Sequence, residues 1–578
     1  MLELLRQHKM AAINVAAALL LLSLCGLWLR VRDNGYRAIR YPEEITIDVY
    51  DEMATQDGIQ TGWFAKAVQD RFHMSINVIA PDPGDATSML DSMLAAGDLG
   101  DIVITSARES ALESMVQQGV LCDLTPYLKG REILRCRAAI DALNEGLGGI
   151  YAIPSAISEG APNEPSEALI PSACPMIRWD LYRQIGYPKL EKLEDLLPVL
   201  QRMQELARQE YPDRRIYAMS FTMEQDGGLL EIAKQIAAVY GYTDEGIVLV
   251  NGAGDIQNLL DSQSVYMRAL RFLYEANRCG IIDPESLSQT EEDVEEKVRN
   301  GEVLFTFDPM LADRSFNTLS NLEGDLGFFP AFCEDLKVLS KGCSVTGDES
   351  CVIAVGAAAK DAARMADFID WLYSDEGVLL QQAGGRGTPG PRGLTWEMTG
   401  SEPGLTSLGT AVLMDHSDIA LPDEWGKGTF QGGASLLAYP ARNLKGKTRE
   451  GVPLTFRLWE ESGEEKRRSA IWQDWCDYYN TGTAMEYLED HGMLQVMPGG
   501  YTILPADGAE TRVIRDSCEG EILEDSKRMI FAEDDAAFDN LKEEMQSVCA
   551  GLNYSQIFRI DLSSARIISS WKQRQVVQ

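Results

Sequence analysis

Polar side chains follow the third predicted strand of this chain. Residues 101–105 form a short apolar run, and Ser106, Arg108 and Glu109 come directly after it, where a helix is predicted to begin. Open α/β sheets bind ligands at the carboxyl ends of their strands, where the backbone N–H groups of a helix N-terminus are free. Asp51 ends the first predicted strand in the same way. We therefore expect Asp51, Ser106 and Glu109 to line a binding cleft.

Aromatic side chains near predicted loops supply a second kind of chemistry. Trp63 follows a polar loop at a helix start, and Trp396, Trp425 and Tyr439 lie in loops further along the chain. Aromatic faces pack against the C–H surfaces of sugars, while planar polar groups bind the hydroxyls. These four residues are candidates for stacking on a sugar, although Trp63 fits a core position equally well. Trp179 and Trp371 belong to regular elements, which predicts that they are core residues.

A late strand ends at Asp308, which we expect to contribute to the cleft because of its place at a strand end. Met310 follows that turn, which therefore offers no aromatic ring for stacking. Arg386 and Arg392 lie on the Gly/Pro-rich loop at residues 384–393, where they are either solvated or face an acidic ligand.

Motifs for catalysis or for cofactor binding are missing from the sequence. It contains no GxxxxGK[ST], GxSxG or HExxH pattern, and its four histidines are not paired at metal-ligand spacing. The cysteines are widely scattered, which predicts mostly free thiols that pack as small hydrophobic side chains. Only Cys343 and Cys351 are near enough in sequence for a local bridge. We expect no catalysis, no metal and no cofactor.

The elements that must position these residues alternate between strand and helix. Residues 45–50, 75–79 and 101–105 are predicted strands, separated by helices at residues 63–72 and 85–95. This order predicts a parallel sheet in an α/β protein. With 578 residues the chain is long enough for two or more domains.

The net charge of −37 argues against a nucleic-acid partner, which requires a basic surface. Residues 10–29 carry no charged side chain and are long enough to span a bilayer as a helix. We expect this segment to anchor the chain in a membrane. The alternatives are a cleaved signal peptide and lipidation of Cys25, although Leu24 is larger than the small residue that a lipidation motif requires before its cysteine.

Five segments together resemble a known family. They are DIVITSARESALESMVQQGVLCDLTPYL (101–128), GGIYAIP (148–154), RWDLYRQIGYP (178–188), GEVLFTFDP (301–309) and DFIDWLYSDEG (367–377). Their order resembles the extracellular solute-binding proteins of ABC importers, in the carbohydrate-type (family 1) branch.

The resemblance implies a two-lobe, periplasmic-binding-protein-like (type II) α/β fold with hinge strands. The expected segments are an anchor (1–32), a tether (33–44), the first lobe (45–154 and 328–390) and the second lobe (155–327 and 391–578). The loop at 384–393 would hold a third crossing between the lobes.

In function, the resemblance implies that the chain captures an oligosaccharide at the extracellular face of the membrane. It would then present this ligand to ABC permease subunits. A membrane-anchored sensor or scaffold of the same fold and a secreted glycan-active enzyme are the alternatives.

Overall fold

The structure is a computed structural model that describes residues 40–81, 86–383, 387–459, 469–502, 504 and 507–577. Residues 10–29, with Cys25, lie outside these ranges, and so does Arg386. Among the residues described, no helix is both long enough and apolar enough to cross a membrane. All ten cysteines within these ranges are free thiols.

Strands and helices alternate along most of the chain. The strands are β1 (Ile45–Asp51), β2 (Gly58–Ile59), β3 (Met74–Ile79), β4 (Ile102–Thr105), β5 (Ala152–Ser155), β6 (Met176–Arg178), β7 (Tyr217–Met219), β8 (Gln225–Asp226), β9 (Leu229–Leu230), β10 (Tyr242–Glu245), β11 (Val248–Asn251), β12 (Ile256–Asn258), β13 (Val303–Thr306), β14 (Phe328–Pro330), β15 (Val338–Lys341), β16 (Asp348–Val355), β17 (Trp396–Thr399), β18 (Glu402–Leu405) and β19 (Leu494–Met497). The helices are α1 (Gly62–Phe72), α2 (Ala86–Ala96), α3 (Ala111–Gln118), α4 (Arg137–Leu143), α5 (Trp179–Gln184), α6 (Leu196–Glu210), α7 (Glu231–Ala238), α8 (Val265–Arg278), α9 (Glu291–Arg299), α10 (Pro309–Ser315), α11 (Leu319–Glu323), α12 (Ala362–Leu372), α13 (Asp375–Gln381), α14 (Ser407–Leu413), α15 (Ala470–Tyr479), α16 (Ala484–Asp490), α17 (Ala509–Ile530), α18 (Asp535–Gly551) and α19 (Tyr554–Val577).

The first lobe is built on a six-stranded sheet in the order β2-β3-β1-β4-β16-β5. Strand β1 pairs in parallel with both β3 and β4, whereas β16 is antiparallel to β4. All four residues of β4 are buried, because this central strand is covered on both faces. The strands and helices predicted between residues 45 and 105 are therefore confirmed, and so is the parallel pairing at the centre of the sheet.

The second lobe is built on a four-stranded sheet in the order β14-β6-β13-β7, beside the antiparallel sheet β10-β11-β12. Helices α6 and α8 bury their apolar faces in its core. Helices α17, α18 and α19 pack onto the same core through buried side chains that include Ile522, Met545 and Ile557. Trp179 belongs to this core and Trp371 to that of the first lobe, as predicted.

The lobe boundaries differ from those expected from the sequence. Residues 328–341 belong to the second lobe, because β14 is a strand of its sheet and Val338 is buried in its core. Residues 394–459 pack in the core of the first lobe, where Leu394, Phe430 and Leu454 contact the same cluster as Trp63. The chain therefore does not pass to the second lobe at the loop of residues 384–393, because residues 394–459 stay in the first core and Ile471 and Trp475 belong to the second.

Three chain segments meet closely where the lobes join. Ser158 N donates to Ser344 O at 3.0 Å, and Gly342 N donates to Met497 O at 2.8 Å. A Cβ atom on Gly342 would lie 1.9 Å from Pro162 O, and one on Gly499 would lie 1.9 Å from Cys343 O. Only glycine permits this approach of backbone to backbone, so the two glycines fix the spacing of the hinge.

Candidate functional site

A cavity of about 220 Å³ lies between the two lobes, and we call it the interlobe cavity. The second lobe contributes the start of β6, the end of β14, and helices α10 and α15, while the first lobe contributes the end of α14 and the turn at Phe456. Its lining residues are Leu169, Ile170, Met176, Pro309, Met310, Asp313, Asn317, Leu319, Leu322, Phe328, Phe329, Pro330, Leu413, Met414, His416, Phe456, Arg457, Trp472, Trp475, Gly482, Thr483 and Ala484.

Helix α15 supplies two indole rings to the interlobe cavity. Trp475 is 2% exposed, and its Nε1–H donates to Pro330 O at 2.9 Å. Its ring stacks on Phe329 with a centroid distance of 6.0 Å. Trp472 is only half-buried, so its face is accessible from the cavity. The sequence signal for this pair was its i, i+3 spacing on one predicted helix, which sequence reasoning did not single out.

Polar contacts cross the interlobe cavity at its rim. Arg457 of the first lobe forms an ion pair with Asp313 of the second lobe. Ser320 N of the second lobe also donates to Asp415 Oδ1 of the first at 3.3 Å. His416 lies beside the ion pair, and burial lowers the pKa of its imidazole, with Asp313 and Arg457 acting in opposite directions. One ion pair and one backbone-to-carboxylate hydrogen bond therefore join the two lobes at this rim.

Asp308 directly precedes Pro309 and Met310, which line the interlobe cavity, and is not itself a lining residue. Its Oδ1 accepts from Met310 N at 2.8 Å and from Leu311 N at 3.1 Å. The carboxylate thus caps helix α10 and places Met310 in the cavity wall. Met310 is 37% exposed and presents a thioether where the sequence lacked an aromatic residue.

The strand ends of the first lobe hold Asp51 and Ser106. Asp51 is fully buried, and its Oδ2 accepts from Ala438 N at 2.7 Å. It fixes the loop that covers the sheet, and in this structure it has no surface open to a ligand. Ser106 is half-buried, and its N–H donates to Glu52 Oε2 at 3.2 Å. Glu109 lies in the short turn Arg108–Ser110, and its side chain lies outside the described part of the structure.

Charged groups of both lobes approach each other near these strand ends. Arg108 lies 3.6 Å from Glu349 within the first lobe. Burial raises the pKa of Glu349, and the charge of Asp348 adds to this effect. Burial also raises the pKa of Glu245 in the second lobe, against the charges of Lys572 and Arg108. This side of the interface is therefore polar, in contrast to the largely apolar interlobe cavity.

Three of the four aromatic residues expected in the cleft are buried in the first lobe instead. Trp63 is 2% exposed, its Nε1–H donates to Phe430 O at 2.8 Å, and the two rings stack. Trp396 is 4% exposed and donates to Gly390 O at 2.9 Å, while the Tyr439 hydroxyl donates to Ile153 O at 2.9 Å. Trp396 therefore does not face Trp63 from the opposite lobe, because residues 394–459 pack in the first core.

Trp425 is half-buried, and it lies in the first lobe outside the interlobe cavity. Arg392 is half-exposed, and its guanidinium lies 5.4 Å from the centroid of the Trp396 ring. The structure thus brings Trp63, Trp396, Trp425 and Arg392 together, but in a groove of the first lobe alone. Within the described residues, no group of three or more His, Cys, Asp or Glu side chains is arranged to hold a metal ion.

Comparisons with known proteins agree with this architecture. The family model described as "Bacterial extracellular solute-binding protein" matches residues 63–392, a little over half of the chain. No curated protein matches the chain.

Solved structures of the same fold include three sugar-related binding proteins. The alginate-binding protein AlgQ2 has a TM-score of 0.55 at 13% identity, over 90% of this chain and 98% of its own. The substrate-binding protein FusA of Streptococcus pneumoniae, in complex with kestose, has a TM-score of 0.54 at 14% identity, over 90% and 98%. An HMO-binding solute-binding protein of Bifidobacterium longum infantis has a TM-score of 0.56 at 12% identity, over 91% and 99%. At these identities the likeness establishes the shared two-lobe fold.

Proposed function

Since the chain belongs to the bacterial extracellular solute-binding proteins, we propose that it is the substrate-binding component of an ABC importer. It captures a small solute, most simply an oligosaccharide, between its two lobes and presents the closed form to permease subunits. The observation that carries this proposal is the interlobe cavity, because both lobes contribute to its wall. A ligand that contacts both lobes stabilises the closed form over the open form, which is how such a protein reports that it is loaded.

The chemistry of the cavity supports a sugar as the ligand. Trp472 offers an accessible indole face. The Asn317 amide bonds to the backbone of Phe328, and the Thr483 hydroxyl oxygen accepts from Glu486 N, which leaves one amide N–H and one O–H for a ligand. Asp313 and Arg457 add charged groups at the rim, and their ion pair can open to bind hydroxyls. This combination of aromatic surface and few polar groups is the one expected for a polyhydroxylated ring.

Two of the three similar structures are named as ABC-transporter proteins, which favours transport over a sensor or scaffold role. All three are named as binding proteins, which agrees with a chain that binds its ligand without converting it. A nucleic-acid partner is disfavoured by the net charge of −37.

Isothermal titration calorimetry on the purified full chain in detergent tests the proposal. The panel should include kestose and alginate oligosaccharides, the ligands named for two of the similar structures, together with unrelated amino acids and dipeptides. We expect saturable binding of at least one oligosaccharide that is weakened in Trp472→Ala. Binding of a peptide alone, or the absence of any oligosaccharide whose binding weakens in Trp472→Ala, would contradict the sugar assignment for this cavity.

We also propose that the N-terminal segment attaches the chain to the membrane. The apolar run at residues 10–29 would hold the chain at the extracellular face of the membrane as an uncleaved anchor. The chain should then stay in the membrane fraction and keep its N-terminal methionine. Intact-mass measurement of an N-terminal diacylated Cys25 would replace the helical anchor with a lipid.

A further inference from the structure

A groove of about 780 Å³ lies entirely in the first lobe, and we call it the first-lobe groove. It runs between helices α1 and α13 and three loops, and it shares no lining residue with the interlobe cavity. Its lining residues are Trp63, Lys66, Ala67, Asp70, Arg71, Asp375, Glu376, Leu379, Leu380, Gly390, Pro391, Arg392, Trp396, Glu424, Trp425, Thr448, Arg449, Glu450 and Val452. Opening or closing of the two lobes does not change which residues form this groove.

Three indole rings line the first-lobe groove, and of these only Trp425 has appreciable exposed surface, since Trp63 and Trp396 are 2% and 4% exposed. The N–H groups of Trp63 and Trp396 donate to Phe430 O and Gly390 O, so these two rings are fixed in the wall. Trp425 is half-buried on the turn Asp423–Trp425. A Cβ atom on Gly393 would lie 3.8 Å from the Trp425 ring, so this loop packs close to one edge of the indole. The part of Trp425 that remains exposed lines the rim of the groove.

The charged side chains of the groove nearly balance. Four bases (Lys66, Arg71, Arg392 and Arg449) lie among five acids (Asp70, Asp375, Glu376, Glu424 and Glu450), whereas the whole chain has 52 bases and 89 acids. Such a groove neither attracts a polyanion nor repels it strongly, and this points to a neutral ligand.

The ion pairs at the rim can exchange for ligand hydroxyls. Arg392 is 3.8 Å from Glu450, and their side chains are 50% and 71% exposed. Exposed pairs of this kind contribute little stability, so replacing them by hydrogen bonds to a ligand costs little. The guanidinium of Arg392 also lies over the Trp396 ring, which places a planar donor next to an aromatic face.

From this juxtaposition of the partly exposed Trp425 ring, a guanidinium that lies over Trp396 and exchangeable carboxylates, we propose that the first-lobe groove is a second carbohydrate-binding site. It binds a neutral oligosaccharide without closure of the lobes. The chemistry is that of ring C–H surfaces on Trp425 and of hydroxyls on Arg392 and Glu450.

A neutral-oligosaccharide array, probed with the fluorescently labelled full chain in detergent, tests this second site. Trp425→Ala is compared with Trp425→Phe, which keeps an aromatic ring, and with Trp472→Ala, which addresses the interlobe cavity. We expect some glycans to bind Trp472→Ala as they bind the wild type. The same glycans should bind Trp425→Ala at least tenfold more weakly, and Trp425→Phe should recover part of that affinity.

Thermal melting of each variant checks that it is folded, and Arg392→Gln replaces Trp425→Ala if that variant is not. The second site is overturned if no glycan depends on Trp425 and Arg392, whether or not others depend on Trp472. If Trp472→Ala alone loses all binding, the result supports the interlobe cavity as the carbohydrate site and contradicts a second site in the first-lobe groove. Binding that depends on Trp425 alone would instead support the groove and contradict the interlobe sugar site.

Discussion

Arg457 in the first lobe and Asp313 in the second lobe form an ion pair across the rim of the interlobe cavity. Their side chains are 26% and 20% exposed, so solvent screens the pair only in part. The pair joins the same two surfaces that a ligand in the interlobe cavity would join. We therefore expect it to contribute to the closed form, so that a ligand has to supply only the remaining free energy of closure.

Removing this ion pair should open the unliganded protein. For Arg457→Met we expect a larger radius of gyration without ligand, since a partly screened pair contributes about 1 kcal/mol and that shifts the open–closed ratio several-fold. Small-angle scattering measures the change, and added salt should open the wild type in the same direction. Arg183→Met is the matched control, because Arg183 pairs with Asp325 inside the second lobe. Equal expansion in both variants would contradict a role of Arg457 in closure.

The hinge should tolerate no side chain at Gly342. In Gly342→Ala, the new Cβ atom would lie 1.9 Å from Pro162 O, a backbone atom that cannot rotate away. We expect the free energy of unfolding to fall by about 1–3 kcal/mol or more, as in other overpacked sites.

Gly520→Ala is the control for this substitution. Gly520 lies in helix α17 with no atom within 4 Å of its Cβ position, so this change should raise the free energy of unfolding by about 0.5–1 kcal/mol. Urea unfolding of both variants gives the comparison. Effects of the same sign in both would show that close approach at the hinge is not what requires glycine.

Local elements could be predicted from the sequence, whereas the lobe assignment of the later chain could not. In β1, alternate residues such as Ile47 and Val49 are apolar and buried, so the periodicity alone identifies a strand. Residues 394–459 are mostly loops. Their apolar side chains show no hydrophobic periodicity from which the core that they join could be predicted. That choice is made by tertiary contacts such as the stacking of Phe430 on Trp63.

The site shows the same limit. Asp308 was predicted to line the cleft from its position at the end of a strand; its neighbours Pro309 and Met310 line the interlobe cavity, while its own carboxylate caps helix α10. Trp472 was overlooked, because an aromatic residue on an amphipathic helix usually faces the core of its own lobe. The exposure of the Trp472 ring depends on how closely the first lobe approaches helix α15. The hinge sets this separation of the lobes, and the sequence around Trp472 does not.

Asp525 should make stability depend on pH in helix α17. The side chain is buried, Oδ2 has no hydrogen-bond partner, and burial raises the pKa of this carboxyl from 3.8 to about 6, with Glu521 adding to the effect. The folded state therefore binds a proton that the unfolded state releases between these values. The stabilisation from this group is complete below about pH 4 and is lost as the pH rises through about 6.

Asp525→Asn should remove that loss, because the amide stays neutral at every pH. At pH 7 we expect the variant to be more stable than the wild type by about 2–3 kcal/mol, with little difference at pH 4. Urea unfolding at the two pH values measures this, with Asp516→Asn as an exposed control on the same helix. A gain at pH 4 as large as the gain at pH 7 would show that ionisation is not its cause.

Trp63 and Trp472 should separate stability from binding. Trp63 is buried against Phe430, so Trp63→Ala should lower the free energy of unfolding by about 3–5 kcal/mol, the cost of a large cavity. Its effect on ligand affinity at the interlobe cavity should be small, because the ring lies outside that cavity. Calorimetric titration and thermal melting of the same preparation report both quantities.

Trp472→Ala should show the reverse pattern. The ring is half-buried in the cavity wall, so we expect affinity to fall by about 1–3 kcal/mol, the scale of a stacked aromatic contact, with a small loss of stability. Trp472→Phe should recover part of the affinity, because it keeps an aromatic face. If Trp63→Ala weakens interlobe binding while Trp472→Ala does not, the ligand lies against the sheet ends of the first lobe, and Ser106 becomes the residue to test next.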